Sequence, residues 1–283
     1  MIGTPRQLHL VEYGIEGWAL ATFMVSACLF GALVFHAASP AAAWPPLLRQ
    51  GVMGVLMGLT LIALVYSPWG RRSGAQMNPA FTLTFLRLGK IAPADATGYI
   101  IAQFIGGTAG VWLSAQLIPT FLAHPSVDYV VTKPGTAGVA VAFAGEVAIS
   151  LLQMLLVLNV AASARWARWT GVFAAVGVAL YITFESPLSG MSMNPARSVA
   201  SALVAGSWYA IWIYFAAPIA GMTLAAALFS SRRGRREVPC GKMMHATPCL
   251  FCEYVARERE ARDATQVAAN ATSVVLPNAS PSR

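Results

Sequence analysis

Two copies of Asn-Pro-Ala, Asn78-Pro79-Ala80 and Asn194-Pro195-Ala196, concentrate the residue types best placed for chemistry. Asn directly before Pro reads as a helix N-cap followed by the first helical position: the side-chain oxygen accepts an orphan backbone N–H, and Pro has none to leave unpaired. The second copy is followed by Arg197, a permanently charged donor fork. Glu16 and Glu146 stand alone in apolar stretches, one in each half of the chain. An ionisable group there is either a proton-relay candidate or an acceptor for irregular backbone, and we favour the acceptor role for both. A third cluster, Cys240, His245, Cys249 and Cys252, has the spacing and donor set of a zinc knuckle.

The elements that must position these residues follow from composition. The chain of 283 residues is 57% hydrophobic and 11% charged, with mean hydropathy +0.61, against about 25% charged residues in a soluble domain. That excludes an ordinary soluble protein. Apolar stretches near residues 13–35, 48–67, 96–118, 138–161, 169–187 and 208–230 are long enough to cross a bilayer. The net charge of +8 comes from bases scattered at span ends, a topology signal rather than a nucleic-acid footprint. Arg6, Arg71, Arg72, Arg87, Lys90, Arg165, Arg168 and the bases from Arg232 to Arg236 share the side of the termini, which places both termini in the cytoplasm.

The stretches after Pro79 and Pro195 are too short to cross but suit half-helices. Three spans per half make the halves inverted repeats, so the two Asn caps are expected to meet at mid-membrane. The expected fold is an all-α membrane protein of six transmembrane helices plus two re-entrant half-helices. Residues 1–230 are expected to form the membrane domain, with repeats over about 10–118 and 138–230, and residues 231–283 a cytoplasmic tail that carries the Cys/His cluster. Cys28 reads as a small core residue, Gln103 as polar glue between spans, and the span glycines as close helix contacts. No Ser/His/Asp set, phosphate loop or multi-His cluster lies within the spans, so no enzyme is expected. A passive channel competes with a secondary transporter of a small neutral solute, which also has inverted repeats but needs carboxylates facing the pathway.

The residues Ser73-Gly74-Ala75-Gln76-Met77-Asn78-Pro79-Ala80 and Ser189-Gly190-Met191-Ser192-Met193-Asn194-Pro195-Ala196-Arg197-Ser198 resemble the aquaporin and aquaglyceroporin family over roughly residues 10 to 230. The resemblance implies a passive channel for water and small uncharged solutes, glycerol-like polyols or metalloid hydroxides, that excludes protons and ions. It also implies a homotetramer in the inner or plasma membrane. Asn78 and Asn194 would then turn their NH2 donors into the lumen, with two positive helix ends and Arg197 repelling cations. The outer constriction would comprise Met57 or Gly58, Ile182, Met191 and Arg197. Ile182 departs from the His usual in water-selective members and implies a wider, less polar ring, whereas Ser198 resembles water channels rather than glycerol facilitators. Gln76, where many members have His, and Glu185 are departures with no derived effect.

The resemblance implies transport without a cofactor. In the tail, Cys240, His245, Cys249 and Cys252 fit a structural zinc, against the plainer readings of reduced cytosolic thiols or a redox switch. Residues from about 265, polar and rich in Ala and Ser, are expected to be disordered.

Overall fold

The computed structural model describes residues 8–233, 240–243 and 249–274. Among these, six helices are long and apolar enough to cross a membrane: Leu10–Phe35, Pro46–Tyr66, Pro93–Leu117, Val139–Ala161, Ala167–Phe184 and Ile213–Arg232. Their boundaries agree with the sequence expectation except at the sixth, which begins at Ile213 because Tyr209–Trp212 form a turn ahead of it. Pro opens the second and third spans, at positions where its missing N–H costs nothing.

The spans pair as first with third, fourth with sixth, and second with fifth. Small residues set the closeness of these pairs. A Cβ on Gly106 would overlap the backbone of Gly17, and one on Gly221 would overlap the Val147 carbonyl, so the equivalent helix pairs of both repeats cross on backbone. With three spans per repeat, the repeats lie inverted.

Two short helices fill the space between the spans. Pro79–Arg87 packs on the third and sixth spans, and Pro195–Ala205 packs mainly on the third. Each starts at its Asn: the Asn78 Oδ1 accepts from Ala80 N at 2.9 Å and Phe81 N at 3.4 Å, and the Asn194 Oδ1 from Ala196 N at 3.1 Å and Arg197 N at 3.3 Å. The loops leading in are compressed into the left-handed region at Gly74, Ala75, Met77 and at Gly190, Met191, Met193. Non-glycine residues in that conformation cost about 1 kcal/mol or more each, so the surrounding contacts must hold them there.

The tail differs from the sequence expectation. A helix runs over Leu250–Val274, past residue 265 where disorder was expected. Its Ala, Glu, Arg and Gln content gives it high intrinsic helix propensity, which the low hydropathy of the segment concealed.

Candidate functional site

The loops before the half-helices would carry bare backbone donors at mid-membrane, where each unsatisfied group costs several kcal/mol. The two span carboxylates supply the acceptors. Glu16 Oε1 accepts from Ser73 Oγ at 2.7 Å and Gln76 N at 3.0 Å, and its Oε2 from Met77 N at 2.6 Å and Gln103 Nε2 at 3.0 Å. Glu146 repeats the pattern with Ser189 Oγ at 2.9 Å, Ser192 N at 2.6 Å and Met193 N at 2.8 Å. Tyr99 and Tyr214 complete it, each hydroxyl donating to the carbonyl of the matching serine, Ser73 or Ser189. Both carboxylates are fully buried, and neither lines the cavity described below.

The two Asn residues come together at the centre. Asn78 Nδ2 donates to Met193 O at 2.7 Å, and Asn194 Nδ2 donates to Met77 O at 2.7 Å, so each cap ties its own half-helix to the other repeat's loop. One N–H of each amide is thereby used in the cross-tie, which the sequence expectation of donors turned wholly into the lumen did not include. The second N–H of each remains, and both Asn side chains line a continuous cavity of about 350 Å³.

Phe35, Gln50, Ser126 and Ser186 line that cavity toward one membrane face, and Gln76, Gln153 and Met222 toward the other. Among the expected constriction residues, Met57, Ile182, Met191 and Arg197 all line it. Gly58 does not: a Cβ there would stand 3.1 Å from Ala175 O, so Gly58 faces the fifth span and Met57 faces the lumen. Of the two alternatives that the sequence leaves open, Met57 and not Gly58 lines the cavity. The helix phase that decides between neighbours is set by packing against the fifth span, to which counting along the chain is blind. Phe23 of the first span also lines the cavity and packs against the cluster of Ala27, Met53 and Met57, an aromatic contribution the sequence did not signal.

Arg197 is pinned by a loop between the repeats. Its Nη1 donates to Val130 O at 2.8 Å, from a turn in which Asp128, Tyr129 and Val130 all adopt positive φ. Thr132 of the same segment bonds Ser198 Oγ at 2.8 Å, and Ser198 is also 2.6 Å from Ser192 Oγ. Ser198 is fully buried away from the cavity, so any influence on selectivity passes through the loop. Glu185, just beyond the fifth span, is 7% exposed, and burial pushes its carboxyl up to about 8.

The tail residues Cys240, Cys249 and Cys252 are brought together, their sulfurs all within 4.8 Å of one another, and Cys240 hydrogen-bonds Cys249 at 3.3 Å. That bond holds the Cys249 thiol below the ordinary thiol range. The fourth expected ligand, His245, lies outside the described residues. Gln76 acquires a role here: its Oε1 accepts from Thr82 Oγ1 at 2.7 Å while its Nε2 donates to the tail's Gly241 O at 3.0 Å.

The sequence profile of the major intrinsic proteins matches residues 16–229. The chain is 32% identical over 228 residues to aquaporin NIP1-4 of Oryza sativa subsp. japonica, covering 80% of this chain and 77% of that one. It is 32% identical over 178 residues to a probable aquaporin NIP7-1 of Arabidopsis thaliana, and the match spans 62% of that relative's length. An aquaglyceroporin from Plasmodium falciparum superposes with a TM-score of 0.63 at 16% identity, covering 78% of this chain and 96% of that one, a likeness of fold.

Proposed function

The chain belongs to the major intrinsic protein family, and from that premise we propose that it is a passive transmembrane channel for water and small uncharged solutes. The observation that carries the proposal is the meeting of Asn78 and Asn194 on one continuous cavity, each capping a half-helix whose positive end faces the other. Two remaining amide N–H groups there orient a water or hydroxyl as acceptor, and two half-helix dipoles raise the energy of any cation at the same point. Arg197 adds a fixed positive charge and further donors nearer one mouth.

The rest of the ring is apolar. Met57, Ile182, Met191 and Phe23 offer no hydrogen bond to a passing solute, so selection rests on size and on Arg197, which suits glycerol-like polyols and neutral metalloid hydroxides besides water. The two span carboxylates, Glu16 and Glu146, are engaged with loop donors, which supports a channel over an ion-coupled transporter. The scattered bases argue for termini in the cytoplasm, and the family resemblance for a homotetramer. Replacing Arg197 with Ala tests the assignment: in swelling assays at equal protein per vesicle, larger polyols and a proton leak should appear. Unchanged selectivity would refute the placement of Arg197 at the selective ring.

A further inference from the structure

Pore chemistry does not explain the contacts between the tail and the first half-helix loop. Residues 240–243 lie as a strap over Gly74–Gln76. Met243 N donates to Gly74 O at 3.3 Å, Gln76 Nε2 to Gly241 O at 3.0 Å, and Lys242 Nζ to Arg71 O at 2.9 Å. Phe251, 1% exposed, sets its ring edge-on to Tyr99 at 6.0 Å. A Cβ on Gly74, whose φ is +100°, would stand 2.9 Å from Lys242 Cγ and 3.1 Å from Phe251, so a bare Gly74 is what lets the strap sit down. Met243 joins Gln76 and Met77 in lining the cavity, which places the strap at the mouth on the tail side.

The strap is fastened beside the three thiols. Cys240 begins it, Cys249 directly precedes the Leu250–Val274 helix, and Cys252 lies in that helix's first turn. Sulfur ligands about 2.3 Å from a tetrahedral zinc stand about 3.8 Å apart. The separation of 3.3 Å between Cys240 and Cys249, within a cluster spanning 4.8 Å, reaches that geometry with small side-chain movements. Three thiolates around a divalent ion carry one net negative charge. The buried Lys242 ammonium and the helix N-terminus both favour that charge.

We propose that Cys240, Cys249 and Cys252 bind one soft divalent ion, zinc by ligand softness and geometry, and that the bound ion holds residues 240–243 across the tail-side mouth with Met243 in the lumen. Each thiol that coordinates releases its proton to solvent, and no electron is transferred. The gating half of the proposal rests on the channel reading above, whereas the metal half does not.

The test uses the full chain. Elemental analysis should find one zinc per chain, reduced to near zero in a Cys249→Ser, Cys252→Ser double variant. Cobalt exchanged into the site should show thiolate charge-transfer absorption that the double variant lacks. In vesicles, a chelator applied to the tail side should raise water permeability several-fold in the wild type and leave the double variant, already raised, unaffected. Met243→Gly should retain zinc yet conduct at the raised level, which keeps the test decisive should the double variant fold poorly. Near-zero zinc in the wild type, or a disulfide between the same cysteines in reducing buffer, overturns the site. Retained zinc with permeability indifferent to both chelator and Met243→Gly overturns the gate. Zinc binding with no water flux in any state refutes the channel reading instead.

Discussion

Replacing Glu16 separates a structural acceptor from a proton carrier. Its two oxygens accept four hydrogen bonds, two from backbone N–H groups of Gln76 and Met77 that have no other acceptor at that depth. Glu16→Leu orphans both, at roughly 1–3 kcal/mol each, so roughly 2–6 kcal/mol is lost before the two side-chain donors are counted. Against a typical stability of about 5–15 kcal/mol, much of the protein should fail to fold. Glu16→Gln keeps one acceptor oxygen. Gln103 Oε1 lacks a partner among the described residues, so Gln103 can turn to accept from the new amide, leaving mainly Met77 N–H unpaired. That variant should lose about 1–3 kcal/mol, or a melting point lower by roughly 2–12 °C at 2–4 °C per kcal/mol. Thermal unfolding followed by size-exclusion chromatography measures both, with vesicle swelling on the surviving Gln protein. A Leu variant as stable as wild type would refute the acceptor role. A Gln variant of full stability but no flux would mean that Glu16 carries protons.

Ile182→His narrows the cavity lined by Ile182 and Met57 and adds a polar group, so glycerol flux should fall more than water flux; equal reductions would mean that Ile182 does not set the width. Gly106→Val forces a side chain into the Gly17 backbone and should abolish a monodisperse product, whereas Gly14→Ala, with nothing within 4 Å of its added Cβ, should behave as wild type; equal yields would contradict the close helix contact. Burial holds the Glu185 carboxyl at about 8, above its ordinary value near 4.5. Between those values the folded protein keeps a proton that the unfolded chain has released, so stability should fall as pH rises through that window and level off above it. Glu185→Gln should flatten this slope in melting curves, and a slope that persists in the variant would assign it to another group.

Much of the site was legible because its signals are local. An Asn-Pro pair carries its own helix start, and a lone carboxylate in an apolar span demands a partner, so the half-helices and the Glu16 and Glu146 acceptors could be placed from the chain alone. What escaped depends on helix rotation or on distant partners. Met57 and Gly58 are neighbours in sequence, and only the contact of Gly58 with Ala175 decides which faces the lumen. Gln76 had no readable role because its partner, Gly241, lies 165 residues away. The Arg197 contact with the Val130 carbonyl depends on a strained turn that no composition rule marks. In the tail, hydropathy pointed to disorder from about 265, while helix propensity carried the order on to Val274.

The central claim, passive conduction past the paired Asn caps, is tested most directly in vesicles that report volume and internal pH together. Purified protein should speed osmotic water flux well above that of empty vesicles, with no pH change and no response to imposed proton or sodium gradients. Flux that depends on such a gradient, or that moves protons with the solute, would contradict the account and establish a coupled transporter.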